Sequence, residues 1–507
     1  MEEVEIVVGP EIVRANQIQL PMNRILLCGI SVLFFLSAFA QNEQDVLRYS
    51  RIGFGGTARY VGMGGAFGGL GGDVSTMSTN PAGIAVFRKS DFSFTPSFFN
   101  QEVSSSYADT NSSDVRFNMK VDEFGFVVAT RPEMRTDHGW QMLCMGVAYN
   151  RTNSFQANLL MTGNSTTSML DSWTRSAAGT GPSSLDYFNI GLAWETYLID
   201  PYMDSTHYID RVPDGDLLHQ FKQVETRGGM GEWTFGGGGN YDNRIYIGAS
   251  IGIPTVKYEE TTFYTEEEVY DTVSNFDYMQ YETYLETKGR GINFKAGVIF
   301  RATDWLRVGL AFASPTNLKL NDTYFSKMTS ILGDTVRTYD SPNGNYRYTI
   351  RTPMRVTGSV GFVVGKVGLI SAEYEMIDYS DGKLKSIDYS FFDENAQVRA
   401  KYKAASNIRL GMEVKLVPFS IRGGVGYYGT PYKPSVNNEA DRLYICGGVG
   451  YRDPDDVFYI DLGFVSQRFT ENYYFYDQSL VDPVVNKWKS LNVLVTVGLR
   501  FGDEPAE

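Results

Sequence analysis

Apolar and polar residues alternate with a period of two along most of this chain. In LNVLVTVGLRF, residues 491–501, one face carries Leu491, Val493, Val495, Val497, Leu499 and Phe501, and the other Asn492, Leu494, Thr496, Gly498 and Arg500. Successive side chains of a β-strand point to opposite faces, so such a segment is oily on one side and mostly small or polar on the other. The same dyad recurs in Ile245, Ile247, Ala249, Ile251 and Ile253 against Tyr246, Gly248, Ser250 and Gly252, and in Leu306, Val308, Leu310 and Phe312 against Arg307, Gly309 and Ala311. It returns at Ile292 to Phe300, Ile408 to Val414 and Phe458 to Phe464. The pattern predicts about 14 strands, near residues 90–101, 114–130, 139–154, 231–241, 244–258, 289–302, 305–319, 346–364, 367–379, 403–414, 418–429, 440–451, 456–470 and 489–501.

Alternation also describes a soluble sandwich, whose oily face lines a shared core. Three features favour a membrane barrel. The runs match the ~9–11 residues that cross a bilayer obliquely. The non-oily faces hold Lys295, Arg307, Arg409, Glu413, Asp461 and Arg500 among glycines, as a water-accessible lumen would. The connections alternate between short turns (241–243, 302–304, 365–366, 415–418, 453–456) and long polar excursions (155–230, 259–288, 320–345, 380–402, 471–488), which is how periplasmic turns and external loops differ. Lipid offers no hydrogen bonds, so such a sheet must close on itself. The expected fold is therefore all-β: a 14-stranded antiparallel transmembrane β-barrel over residues 90–501, with its largest loop at 155–230. Residues 502–507 form a C-terminal tail after Phe501, where such barrels usually end on an aromatic residue.

The N-terminus reads as an address. Met22-Asn23-Arg24 precedes the apolar run ILLCGISVLFFLSAFA, which closes on Ala38-Phe39-Ala40; a short basic segment, an apolar stretch and an A-x-A site make a signal peptide cleaved after Ala40. The acidic residues before Met22 read as a mis-called leader. Removing residues 1–40 takes away four acids and two bases from 59 and 45, leaving 55 against 43 and an acidic exported chain, a poor candidate for nucleic-acid binding. Two cysteines remain, Cys144 and Cys446, far apart and both in strand-like runs; three histidines, His138, His207 and His219, are scattered. Neither set builds a metal site or a disulfide scaffold, and no cofactor or metal is expected.

Residues 41–89 remain between leader and barrel. They contain GGAFGGLGGDVSTMSTNPAGIAVF at 64–87. The spacing G-x-G-x-x-G fails at Phe67 and no phosphate-cradling G-x-x-x-x-G-K follows, so the glycines point to tight backbone packing rather than nucleotide binding. A lumen about 14 strands wide is too broad for wall side chains to fill. These residues are available as a plug, with the short polar side chains of Asp73 to Asn80 turning the backbone and Pro81 stiffening the turn before Gly83.

Gly72-Asp73, Ser75 and Asn80-Pro81-Ala82-Gly83, placed between a signal peptide and such a barrel, resemble the FadL/TodX family of outer-membrane transport proteins, whose N-terminal hatch carries an Asn-Pro-Ala motif. Leu47 to Ser50, the run GGTARYVGMGGAFGGLGGD, Ile190 to Trp194 and Leu217 to Phe221 are similar to the branch often labelled haemin receptors. The resemblance implies a monomeric protein of the Gram-negative outer membrane that admits hydrophobic small molecules, long-chain fatty acids or aromatic hydrocarbons, by diffusion. It implies a ligand route from an apolar external groove, through a pocket walled by the hatch, to a lateral gap at a kink in the third strand. On that reading Gly72, Asp73, Ser75, Asn80, Pro81, Ala82 and Gly83 belong to the gating hatch. Gly146 in the third strand is a candidate for the kink.

Ser184 to Asp200 reads as an amphipathic helix presenting Leu185, Phe188, Leu192 and Trp194 as a groove for ligand, or as packing for the loop. Tyr258 to Lys288, rich in Glu and Tyr, reads as a solvated hairpin. An enzyme is not expected, although His207 and His219 lie in the long loop near Asp204, Asp210 and Asp216. A haem-binding receptor, or a structural or adhesive outer-membrane barrel, is the alternative.

Overall fold

The computed structural model describes residues 42–132, 138–270, 276–436 and 440–502. The expected leader and signal peptide, residues 1–40, and all but the first residue of the tail lie outside the described residues.

The wall begins with β1 (Ser90–Tyr107) and β2 (Thr110–Thr130), joined through Ala108 and Asp109, both left-handed (φ 44° and 60°). β3 (Trp140–Ser154) continues as β4 (Ala157–Ser165), and β5 (Ile199–Pro201) pairs with β6 (Tyr208–Asp210) in the loop beyond it. Then come β7 (Leu218–Tyr241), β8 (Ile245–Glu268) and β9 (Tyr278–Arg301). β10 (Leu306–Ala313) runs on as β11 (Asn317–Leu332), and β12 (Thr335–Asp340), β13 (Gly344–Arg351) and β14 (Arg355–Val364) return beside it. β15 (Gly368–Asp378) is extended by β16 (Lys383–Lys385). β17 (Ala404–Leu416), β18 (Phe419–Tyr428), β19 (Arg442–Arg452), β20 (Phe458–Tyr473) and β21 (Val484–Phe501) complete the circuit. Every pairing is antiparallel, and β21 returns to β1 from Ser90↔Phe501 to Ser106↔Val485, closing a 14-stave barrel.

The alternation has the consequence its chemistry requires. Ile245, Ile247, Ile251, Phe294, Leu310, Leu410, Leu462, Val497 and Leu499 face outward and are exposed, whereas Lys295, Arg409, Glu413 and Asp461 are buried on the inside. An outward apolar belt on a closed sheet is a lipid-facing surface. Among the described residues no helix is long and apolar enough to cross a membrane; the strands do the crossing.

Inside the wall lie α1 (Glu43–Ser50), α2 (Ala58–Gly62) and two 3₁₀ turns, Val74–Ser78 and Pro81–Val86. Above, α3 (Met169–Ala177), α4 (Ile190–Glu195) and the β5–β6 pair cap the long strands. Leu170, Leu192, Leu198, Tyr264, Met279, Met328 and Phe475 form that cap's core. α5 (Phe392–Lys401) sits over β13 and β16.

The strands run further than the sequence predicts, so the expected loop 155–230 contains β4 and the first half of β7. The helix expected over 184–200 shrinks to the six residues of α4. Asp186 Oδ1 accepts from the Phe188 amide at 2.9 Å, a local turn that competes with helical bonding, and Asn189 Oδ1 accepts from the Ile190 amide as the N-cap of α4, so the helix begins only there. Tyr197, at φ 60°, ends the segment. The hairpin expected at 258–288 is present as the upper halves of β8 and β9. Its inward Tyr264 and Met279 join the cap core.

Candidate functional site

The N-terminal segment inside the wall, called the plug here for its position alone, is packed by glycine on both sides of its contact with the wall. Gly64, Gly65, Gly71 and Gly72 take φ of 64°, 73°, 66° and 72°, a region other residues enter at a cost, so the chain can coil tightly there. Facing wall positions are glycine because plug backbone touches them. A Cβ on Gly248 would stand 2.3 Å from the Pro81 carbonyl oxygen, one on Gly411 2.2 Å from that of Met63, and one on Gly309 2.3 Å from that of Gly68.

Polar groups lock the same surface. Asp73 caps its 3₁₀ turn by accepting from the Ser75 amide at 3.0 Å and takes the Thr57 hydroxyl at 2.7 Å, while Ser75 Oγ accepts from the Thr57 amide at 2.9 Å. Asn80 Nδ2 donates to the Gly68 carbonyl at 2.6 Å, and its Oδ1 accepts from the Ala82 amide at 3.2 Å. Gly72 donates to the Gly83 carbonyl at 3.0 Å, tying the two halves of the expected motif together. All of Gly72, Asp73, Ser75, Asn80, Pro81, Ala82 and Gly83 therefore meet in one knot, with Asn80 and Ala82 essentially inaccessible. Plug and wall are joined by Arg59, forked on Glu413 at 2.9 and 3.2 Å, by the Gly68 amide on Glu373 at 2.8 Å, and by Arg307 on the Leu70 carbonyl at 2.9 Å. Glu413 is shared with Arg422, which also holds Asp461, so these buried charges are paired, as burial demands.

Beside the plug lies a cavity of about 1010 Å³ of empty space, part of it open to solvent. Tyr49, Phe54 and Tyr60 of the plug line it with Met230, Pro254 and Leu318 of the wall. The ion pairs Lys295–Glu232 and Arg355–Glu375 stand at its side. Asn150 and Thr152, near the end of β3, also line it, and Gly53 donates to the Thr152 carbonyl at 2.8 Å.

Beyond that point the wall changes. β2 pairs with β3 only from Glu123↔Asn150 to Thr130↔Leu143, and β4 pairs with β7 alone. The bend falls at Phe155 and Gln156, between β3 and β4. The Phe155 ring packs edge-on against Tyr49 of the plug and Tyr258 of β8, at 6.1 and 5.1 Å between centroids. Residues 110–122 of β2 thus have β1 on one side and, among the described residues, no ladder on the other. Only side chains cross this seam. Arg116 donates to Gln156 at 3.1 Å and Asn158 at 2.9 Å and pairs with Glu225. The Ser112 hydroxyl donates to the Leu160 carbonyl, and Arg151 caps the Val121 carbonyl at 3.0 Å. Phe117 and Met119 beside the seam are 66 % and 63 % exposed.

Gly146 is not at this bend. It sits in an unbroken ladder between Val127 and Gly236, and a Cβ there would stand 2.8 Å from the Phe126 carbonyl oxygen of β2 and 3.0 and 3.2 Å from Ile84 and Met77 of the plug. Its glycine serves close packing against the wall backbone and the plug, which is why a glycine in a strand is a weak pointer to a kink. Leu185 and Leu192 are buried in the cap core, while Phe188 and Trp194 remain partly exposed, Phe188 against Tyr324 at 4.8 Å. Of the four residues expected to line a groove, two are closed off. Arg116, Gln156, Asn158 and Glu225 escaped the sequence reading because they are joined only across the bend. The one available signal was a run of polar inward positions on β2, Asp114, Arg116, Asn118 and Lys120. His207 bonds Asp204 at 2.9 Å on the exposed surface, and His219 bonds Asn164 at 2.9 Å.

No protein-family model matches the sequence, and no curated protein matches it. Solved structures do. A Pseudomonas aeruginosa FadL homologue is 14% identical with a TM-score of 0.51, over 89% of this chain and 100% of that one. The Pseudomonas putida toluene transporter TodX is 12% identical with a TM-score of 0.50, over 88% and 98%. A TodX monoaromatic hydrocarbon channel mutant, deltaS2, is 11% identical with a TM-score of 0.53, over 88% and 99%. At such identities the likeness is one of architecture, and the chain has the fold of the FadL/TodX-type barrels.

Proposed function

We propose that this protein is a passive outer-membrane channel for hydrophobic small molecules, with residues 41–89 as its hatch. The observation that carries the reading is the unladdered seam between β2 and β4, next to a cavity whose floor is the plug. In lipid an unpaired strand edge is costly, because no solvent satisfies its amides and carbonyls. A sealed lumen with such an opening in its side suits cargo that leaves into the bilayer rather than through a water-filled bore. The solved structures of the same fold include a toluene transporter and a monoaromatic hydrocarbon channel, which supports cargo of this class.

On this reading ligand enters past Phe188 and Trp194, lodges against Tyr49, Phe54 and Tyr60, and leaves by the seam. The cations that border the cavity are already matched by carboxylates, which favours neutral aromatic cargo over a fatty-acid anion. Proteoliposomes test the proposal directly: uptake of toluene or oleate without ion conductance is expected. Open-pore conductance instead would make the protein a general porin, and absence of both would leave a structural or adhesive barrel.

A further inference from the structure

On β9, β11, β13 and β16 the outward alternation does not end with the apolar belt. It passes into a band of cations. Ile292 pairs with Asn317, Asn317 with Arg351, and Arg351 with Lys383; one step along the strands Arg290 pairs with Lys319, Lys319 with Thr349, and Thr349 with Lys385; one step further Asn321 pairs with Arg347. Arg290, Lys319, Arg347, Arg351, Lys383 and Lys385 are all exposed, and among the described residues none of the six makes an ion pair. Neighbouring Lys257 and Lys288 differ: Glu259 holds the first at 2.7 Å and Glu286 the second at 2.6 Å.

Sheet energetics alone disfavour this arrangement. Arg290 stands directly across from Lys319 and Arg351 directly across from Lys383, and like charges in such positions repel. The band is roughly 15–20 Å wide at the usual strand spacing. It begins immediately above Ile292, Phe312 and Met354 of the lipid-facing belt, which are exposed. Groups at that depth meet the headgroups of the surrounding leaflet, where phosphates lie.

We infer that this band is a docking surface for the phosphate groups of anionic lipid. On the channel reading above, in which ligand enters from outside past Phe188 and Trp194 and the long excursions are external, the band lies at the outer end of the strands, so the leaflet concerned is the outer one and the lipid its phosphorylated glycolipid. Several cations converging on phosphates form charge-assisted bonds that a zwitterionic leaflet would not supply.

The test uses the full protein in phosphatidylcholine nanodiscs titrated with fluorescent bisphosphorylated lipid A. R290Q/K319Q/R351Q/K383Q is expected to bind about tenfold or more weakly than the parent. K257Q/K288Q, whose cations are already matched, should lose far less. Heat-modifiable electrophoretic mobility checks that each variant is folded. Dephosphorylated lipid A should bind both proteins weakly. Equal binding by parent and quadruple variant, equal binding of the phosphate-free lipid, or competition by inorganic phosphate as effective as by lipid would each overturn the proposal. Toluene uptake by the same proteins separates the two readings: a parent that binds lipid but takes up nothing sinks the channel and leaves the band intact.

Discussion

At the scale of single residues, Asn80 ties the plug knot together through its bonds to Gly68 and Ala82, and its space is provided by the wall. A Cβ on Gly297 would lie 1.9 Å from Asn80 Oδ1 and 2.9 Å from its Cγ, with the nearest atom of any other residue, the Leu310 carbonyl oxygen, at 3.3 Å. G297A must therefore displace the Asn80 amide, breaking its bonds to Gly68 and Ala82, and is expected to cost about 1–3 kcal/mol in urea unfolding. N80A loses the same bonds without the clash and should cost about 1–2 kcal/mol. Because both changes act on one contact, the double variant should fall well short of their sum, and full additivity would remove Asn80 from the knot. Planar-bilayer recordings on G297A should show ion leak absent from the parent. The sequence makes half of this legible: a run of glycines beside Asn-Pro announces tight coiling. It does not announce that Gly248, Gly297, Gly309 and Gly411 on distant strands are the other half, because each looks like an ordinary small residue on a lumen face.

At the scale of elements, the strands were legible wherever one face met lipid and the other the lumen, since that contrast is what alternation records. It faded where both faces are covered. In β4, Leu159 and Met161 enter the cap core while Asn158 and Leu160 face β2, so ANLLMTGNS carries no clean dyad. Residues 184–200 misled for a related reason: their apolar side chains serve a compact loop, and apolar spacing alone cannot distinguish that from a helix. One polar contact pins this cap to the barrel. Buried Glu266 on β8 accepts from the Met169 amide at 2.8 Å, Gln220 at 3.0 Å and Tyr264 at 2.5 Å, and from Ser168, which caps α3. Burial outweighs these donors and lifts its pKa from 4.5 to about 7. Burial, aided by the Asp171 carboxylate, likewise raises Asp210 from 3.8 to about 6. The folded cap then holds protons that the unfolded loop releases, so its stability falls as pH rises through these windows and is greatest below the unfolded values. Amide protection factors over residues 166–217, corrected for the intrinsic pH dependence of exchange, should rise on acidification from about 7 towards 4.5, and E266Q should flatten most of that dependence. An unchanged profile in E266Q would place the proton elsewhere.

For the molecule as a whole, the proposed channel reading raises the question whether cargo turns aside at the seam or passes down through the plug. The plug is fastened around the wall by Arg59 on Glu413, Arg307 on the Leu70 carbonyl, the Ala58 amide on Thr496 and Ser250 on the Met77 carbonyl, contacts reaching β17, β10, β21 and β8. Driving cargo straight through would require several of these buried bonds to open together, each leaving a desolvated partner at about 1–3 kcal/mol. The seam requires much less, because its crossing depends on the side chains of Arg116, Ser112 and Arg151 rather than on a ladder. Its main tie, Arg116 with Glu225, is partly exposed, and such pairs contribute little when they can exchange for water. S112C/L160C places a disulfide where the Ser112 hydroxyl already reaches the Leu160 backbone, and the native Cys144 and Cys446 are buried away from it. Under oxidation, toluene uptake into proteoliposomes should fall about tenfold or more, the size of effect expected when one barrier of about 1.4 kcal/mol or more is added to the route, and should return on reduction. R116A should leave uptake intact or speed it, since it removes a tie and no part of the wall. Uptake that persists undiminished through the oxidised seam would mean that cargo leaves through the plug, and the knot at Asn80 would then have to be the gate.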